Sequence, residues 1–176
     1  MGIQKKPESF GMKLLLTDVS VFFDLFELNL LLEFFGMEWE IYTTDVVYDE
    51  IEYQSQQDEF SQWVRSKQLK VLELEVEELE QMQKMKTHLK NRSIADKSLL
   101  WKAKEMNIPL LTCDAKLRKE ANYQDLEVHG SIWVIEKMNY KGVIFKEEAI
   151  SKLKLLKSIN NRLPENRIDD LIKKLK

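Results

Sequence analysis

A chain of 176 residues, 44% hydrophobic and 32% charged, is too apolar to be intrinsically disordered and can bury about two-thirds of its unfolded surface. A net charge of −3 excludes a global attraction to nucleic acid, so any such contact needs a local basic patch. A single cysteine, Cys113, and two histidines, His88 and His129, exclude an internal disulfide, a multi-cysteine zinc site and a His-rich metal centre, and they suit a reducing cytoplasm.

Residues 1–11 read as a flexible N-terminal tail with lysines and Pro7 but no apolar signal-peptide core. No apolar run reaches the roughly 18 residues of a membrane span. Residues 12–176 read as a single domain, of which 146–176 form a C-terminal helical extension.

Lys13 to Asp18 is a short apolar run closing on an aspartate, the pattern of a strand. Apolar residues at helical spacing follow from Val19 to Phe35, and Gly36 ends them. Residues 40–43 are rich in β-formers. Thr44 or Asp45 then caps a helix carrying Val46, Val47 and Ile51, with Glu50 in its second turn. An amphipathic helix is expected over 56–67, and a half-exposed edge strand over 69–75. Residues 76–91 have a helical pattern. A turn at 91–93 leads into a helix over 94–105, with Asp96 in its first turn and Asn107 ending it.

Ile108 to Thr112 is the most apolar short run. It ends at Asp114, and a helical pattern begins at once with Ala115. This repeats the strand–Asp–helix order of the Asp18 segment. A last strand at 126–128, a helix from Gly130-Ser131 to about Met138, a break at Gly142, and helices over 146–158 and 165–175 complete the chain. The alternation predicts an α/β fold, a three-layer α/β/α sandwich with a short, mostly parallel sheet.

In such sheets ligands sit at the C-terminal ends of the strands. Asp18 and Asp114 belong there, and Glu50 and Asp96 begin helices nearby. Each alone can be structural: Asp18 and Asp114 as N-caps, Asp96 with Ser93 as a capping box, Glu50 as a solvated helix residue. Together at one edge they would repel by on the order of several kcal/mol unless a cation is present. All-oxygen ligands select hard ions, Mg²⁺ or Mn²⁺, and a site of that kind suits phosphodiester hydrolysis. Arg92, Lys97, Lys116, Arg118 and Lys119 could contact phosphates there or simply be solvated. Cys113 has no histidine placed to activate it. The phenylalanines over 22–35 exceed one helix face, and a dimer or partner groove would use the surplus.

Four segments resemble the acidic motifs of PIN domains, which include the VapC-type ribonuclease toxins. They are Leu14-Leu-Leu-Thr-Asp18-Val-Ser20, Val46-Val-Tyr-Asp-Glu50, Ser93-Ile-Ala-Asp96 and Pro109-Leu-Leu-Thr112-Cys-Asp114. Val128-His-Gly130-Ser131 and the helix after it resemble the last segment of a related group of predicted toxins. The resemblance spans Met12 to Leu156. It implies a metal-dependent endoribonuclease in which Asp18, Glu50, Asp96 and Asp114 bind Mg²⁺ or Mn²⁺ directly or through water. Ser20 and Thr112 would support them by hydrogen bonding. It further implies an RNA substrate, products with a 5′-phosphate, and an antitoxin protein over the acidic pocket. Lys116 and Arg118 stand where many members carry a further acid. That substitution gives the alternative, an inactive PIN-like nucleic-acid-binding or scaffold module.

Overall fold

The computed structural model describes residues 13–87 and 93–176. The expected N-terminal tail, His88 and Arg92 lie outside them. The chain runs β1 (Leu14–Thr17), α1 (Val19–Glu27), α2 (Leu31–Phe35), β2 (Glu40–Thr44), α3 (Asp45–Tyr48), α4 (Gln54–Arg65), β3 (Leu69–Leu72) and α5 (Val76–Lys84). It continues with α6 (Ile94–Met106), β4 (Leu110–Leu111), α7 (Ala115–Tyr123), β5 (Val128–His129), α8 (Ser131–Tyr140), α9 (Lys146–Ile159) and α10 (Glu165–Leu175).

The strands form one sheet in the order β3-β2-β1-β4-β5, and every pairing is parallel. The apolar runs are therefore buried on both faces, as parallel strands between helix layers must be. Along β1, Leu15 faces a core shared with α1, α2, α4, α8, α9 and α10, while Leu16 faces one shared with α3, α6 and α7. Leu111 and Leu110 of β4 divide in the same way, because successive side chains leave opposite faces. The first core is aromatic. Phe22, Phe34 and Phe60 are fully buried, and Phe22 lies 4.8 Å from Phe60 between ring centroids.

Several boundaries differ from expectation. The 19–35 helix is two helices, because Asn29 adopts φ +51. Its N–H donates to Phe26 O, and the Leu30 N–H donates to Leu25 O, which closes α1 in a Schellman motif. That reversal turns the supposed surplus of aromatics inward. Phe22, Phe34 and Phe35 are buried, and Phe23 and Phe26 pack against the same core. The edge strand stops at Leu72, where the Leu74 N–H turns to Asp45 Oδ2. α4 begins two residues early, and α5 ends at Lys84 with Met85 extended. The last strand lies at 128–129. Glu50 is not inside a helix: α3 ends at Tyr48, so Glu50 follows it in a turn and is exposed. Among the described residues no helix is long and apolar enough to cross a membrane.

Candidate active site

The strand order reverses direction at β1, which lies between β2 and β4. The chain leaves β1 toward one side of the sheet and β4 toward the other, which opens a crevice at their C-terminal ends. Asp18 and Asp114 follow these two strands. The Asp18 N–H donates to Leu111 O at 2.8 Å, so the backbone itself joins the two strand ends.

Side chains tighten that junction. Asp18 is 8% exposed, and its Oδ2 accepts the Ser20 and Thr112 hydroxyls, both at 2.7 Å. Ser20 Oγ in turn accepts the Cys113 N–H at 3.0 Å, and Thr112 Oγ1 accepts the Asp114 N–H at 3.1 Å. Each hydroxyl thus spends its proton on the carboxylate and its lone pair on the chain leading to Asp114. The N-cap reading separates the two aspartates. Asp18 makes no cap bond to α1, whereas Asp114 Oδ1 accepts the amides of Lys116 and Leu117 at 2.9 and 2.7 Å. Asp96 stands in the first turn of α6, where Ser93 Oγ accepts its N–H at 3.1 Å.

Asp18, Glu50, Asp96 and Asp114 line one cleft of about 1100 Å³, joined by Asp24 and Glu27 of α1. Burial pushes the Asp18 carboxyl above its usual range, against the pull of its two hydroxyl donors, and the charge of Asp96 pushes it further. Glu50 is also held up, first by the protein crowding it and then by the charges of Asp18 and Asp96. Three of the four predicted carboxylates therefore sense one another. Among the described residues, however, no three His, Cys, Asp or Glu side chains stand close enough to hold a metal ion. The donors are hard oxygens under mutual repulsion, which fits a divalent cation.

The basic residues divide. Lys116 lines the acidic cleft, Arg118 lines a neighbouring one, and Lys97 lines neither. Lys119 lies over the Tyr123 ring. His129 is structural by its contacts: it bonds Glu127 Oε1 at 2.6 Å and stacks on Trp133 at 4.0 Å.

Asp24 is the residue that sequence reasoning missed. Its Oδ2 accepts Ser131 Oγ at 2.6 Å and Cys113 Sγ at 3.3 Å, and its Oδ1 accepts Asn160 Nδ2 at 2.9 Å. A lone carboxylate among Phe22, Phe23, Leu25 and Phe26 was the available signal, since a buried charge needs such partners. Asn160, Asn161 and Arg162 come from the α9–α10 connection and also line the acidic cleft.

Cys113 is buried beside this carboxylate, and its thiol is pushed up to about 12 by burial and by the Asp24 charge. At neutral pH it should react with iodoacetamide more than about a hundredfold slower than a free thiol of pKa near 8.5. Intact-mass spectrometry against a cysteine peptide measures this, and comparable rates would contradict the burial.

A family model described as a PIN domain matches residues 14–176. No curated protein matches the chain.

Proposed function

The chain belongs to the PIN-domain family, whose members are generally nucleases, and from that premise we propose that it is a metal-dependent endoribonuclease. The observation that carries the reading is Asp18: buried at the strand switch point, bonded by Ser20 and Thr112, and repelled by Asp96. Asp18, Asp96 and Asp114 would hold Mg²⁺ or Mn²⁺, and Glu50 at the rim would complete the pocket. Such an ion supplies Lewis-acid activation of water and neutralises charge on the phosphodiester. Ser20 and Thr112 fix the direction of the Asp18 carboxylate. Asp114 is oriented by the first amides of α7. Lys116, which lines the same cleft, would meet a substrate phosphate.

The biological setting in this reading is the toxin of a toxin–antitoxin pair in the cytoplasm, with an antitoxin protein covering the cleft. Residues 12–176 act as one PIN-like unit, with 146–176 its C-terminal extension. A homodimer remains part of the proposal, though the aromatics of α1 and α2 do not supply its surface. The second reading, an inactive nucleic-acid-binding module, is favoured by two observations: no three carboxylates stand close enough to hold a metal ion among the described residues, and Lys116 lies in the cleft.

The test incubates the purified protein with mixed single-stranded RNAs in Mn²⁺ or in EDTA and maps the product ends. Cleavage in Mn²⁺ alone, leaving 5′-phosphates, is the expected result. Manganese binding by calorimetry without cleavage of any RNA would select the second reading.

A further inference from the structure

Beside the acidic cleft lies a second one of about 500 Å³, and the two share Cys113, Ala115 and Arg162 as a common wall. Their charges are opposite. The first gathers six carboxylates against Lys116 and Arg162. The second presents Arg118, Lys119, Arg162 and Arg167 against one carboxylate, Glu136, which is already bonded by Lys174 at 2.7 Å. In a chain of net charge −3 this segregation is local and deliberate in its effect.

The cations of the second cleft are not neutralised. Among the described residues no carboxylate forms an ion pair with Arg118, Arg162 or Arg167. Arg118 is half-buried, with Nη1 donating to Thr112 O at 3.0 Å. Burial works against its charge, and the neighbouring Arg167 charge adds to that. Gly130 makes room for it: a Cβ there would stand 3.2 Å from Arg118 Nη1 and 3.1 Å from Thr112 O. Guanidinium groups that line one cleft without a carboxylate partner suit an anion, which they can bind in a forked geometry. The rest of the lining mixes apolar Val128, Ile132, Leu163 and Pro164 with polar Asn122 and Ser131 and with the stacked rings of His129 and Trp133. Several basic groups beside apolar side chains and polar donors suit a ligand that carries both a phosphate and a heterocyclic base.

We propose that this second cleft is a nucleotide subsite, in which Arg118, Arg162 and Arg167 take a phosphate of the unit adjoining the one in the acidic cleft. Arg162, on the shared wall, lies along the strand's path between the two. The inference rests on the RNA-cleaving reading for its direction, but not for its existence, because the pocket's charge does not depend on chemistry at the carboxylates. The same chemistry would accept a phosphate in an RNA chain or in a free nucleotide.

The experiment separates these. Fluorescence anisotropy of a labelled single-stranded RNA decamer is measured in EDTA, where the acidic cleft repels RNA, across 50–200 mM KCl. AMP is titrated in parallel by calorimetry. The proteins are wild type, Arg167→Gln, and Arg118→Gln with its melting temperature as a folding control. Arg167 is exposed, so its loss should leave folding and Mn²⁺ binding intact. Each variant is expected to bind RNA about tenfold more weakly, with a salt dependence shallower by about one phosphate contact. Unchanged RNA and AMP affinities in both variants overturn the subsite. Loss of AMP binding with unchanged RNA affinity overturns its place on an RNA path and assigns the pocket to free nucleotides. If wild type binds RNA through these arginines but never cuts in Mn²⁺, the nuclease reading fails while the subsite stands.

Discussion

Asp18→Asn is expected to abolish Mn²⁺ binding, to lower RNA cleavage by at least about 100-fold, and to raise the melting temperature of the metal-free protein. The activity loss follows if Asp18 is a ligand, since an amide is a far weaker donor to a hard cation. The stability gain follows from its burial. The folded protein holds the Asp18 carboxyl above its ordinary value, so the ionised form is the disfavoured one. A carboxyl shifted upward contributes stability that is fully present below its unfolded value of 3.8. That contribution is lost as pH rises through the folded value. Above the folded value the penalty is complete, and a neutral Asn removes it while its carbonyl can still accept the Ser20 and Thr112 hydroxyls. For a chain of this size about 1 kcal/mol moves the midpoint by ~2–4 °C, so a rise of a few degrees is expected.

Thermal melts from pH 7 toward pH 4 check the sign. The advantage of Asn over Asp should shrink on acidification and vanish below 3.8. The comparison must be between the two proteins. Glu40, Glu78 and Glu127 have carboxyls held low by Lys70, Lys102 and His129, and they lose stability in acid in both. Excess Mn²⁺ should stabilise wild type alone. A variant that melts lower than wild type and still binds Mn²⁺ would remove Asp18 from the site.

Asp24→Ala should be the most damaging single change to the cleft, destabilising the fold by about 3–5 kcal/mol. One carboxylate here accepts hydrogen bonds from Ser131, Cys113 and Asn160, which begin α8, follow β4 and follow α9. Bonds to a charged acceptor are worth about 1.5–3 kcal/mol each, and truncation leaves the buried Ser131 hydroxyl only the weakly accepting Cys113 sulfur. That is a large fraction of the roughly 5–15 kcal/mol that holds a domain together. Asn160→Ala removes only one partner of Asp24, from a half-exposed position, and should lose about 1 kcal/mol. Denaturant midpoints at unchanged slope measure both. Equal, small losses in the two variants would show that Asp24 is not the common anchor.

The order of elements was legible because its signals are local. A buried parallel strand is a short continuous apolar run, and Leu14–Thr17 and Leu110–Leu111 sit inside such runs. Asn107 and Gly142 ended helices as read, both at positive φ. Asn29 was missed because only the tertiary core, by burying Leu28, Leu30 and Leu31 together, makes the left-handed turn worthwhile in a helix-compatible sequence.

For the site, the sequence alone determined which carboxylates follow which strands, and hence that Asp18 and Asp114 share an edge. That consequence needs only β–α alternation and parallel pairing. Ser20 and Thr112, whose hydroxyls bond Asp18, were named by the resemblance to PIN domains and not by that pattern. What only the tertiary structure decided depends on distances between segments remote in sequence. The switch point brings β4 beside β1 across some 94 positions, as the Thr112–Asp18 bond records. Asp24 becomes an anchor because α8 and the α9–α10 connection fold back on α1. Arg162 and Arg167 line one cleft with Arg118 only because the α9–α10 connection and α10 fold back beside α7 and β5. Local pattern specifies what each segment is; the charge a cleft carries is a sum over segments, and that sum exists only once they are packed.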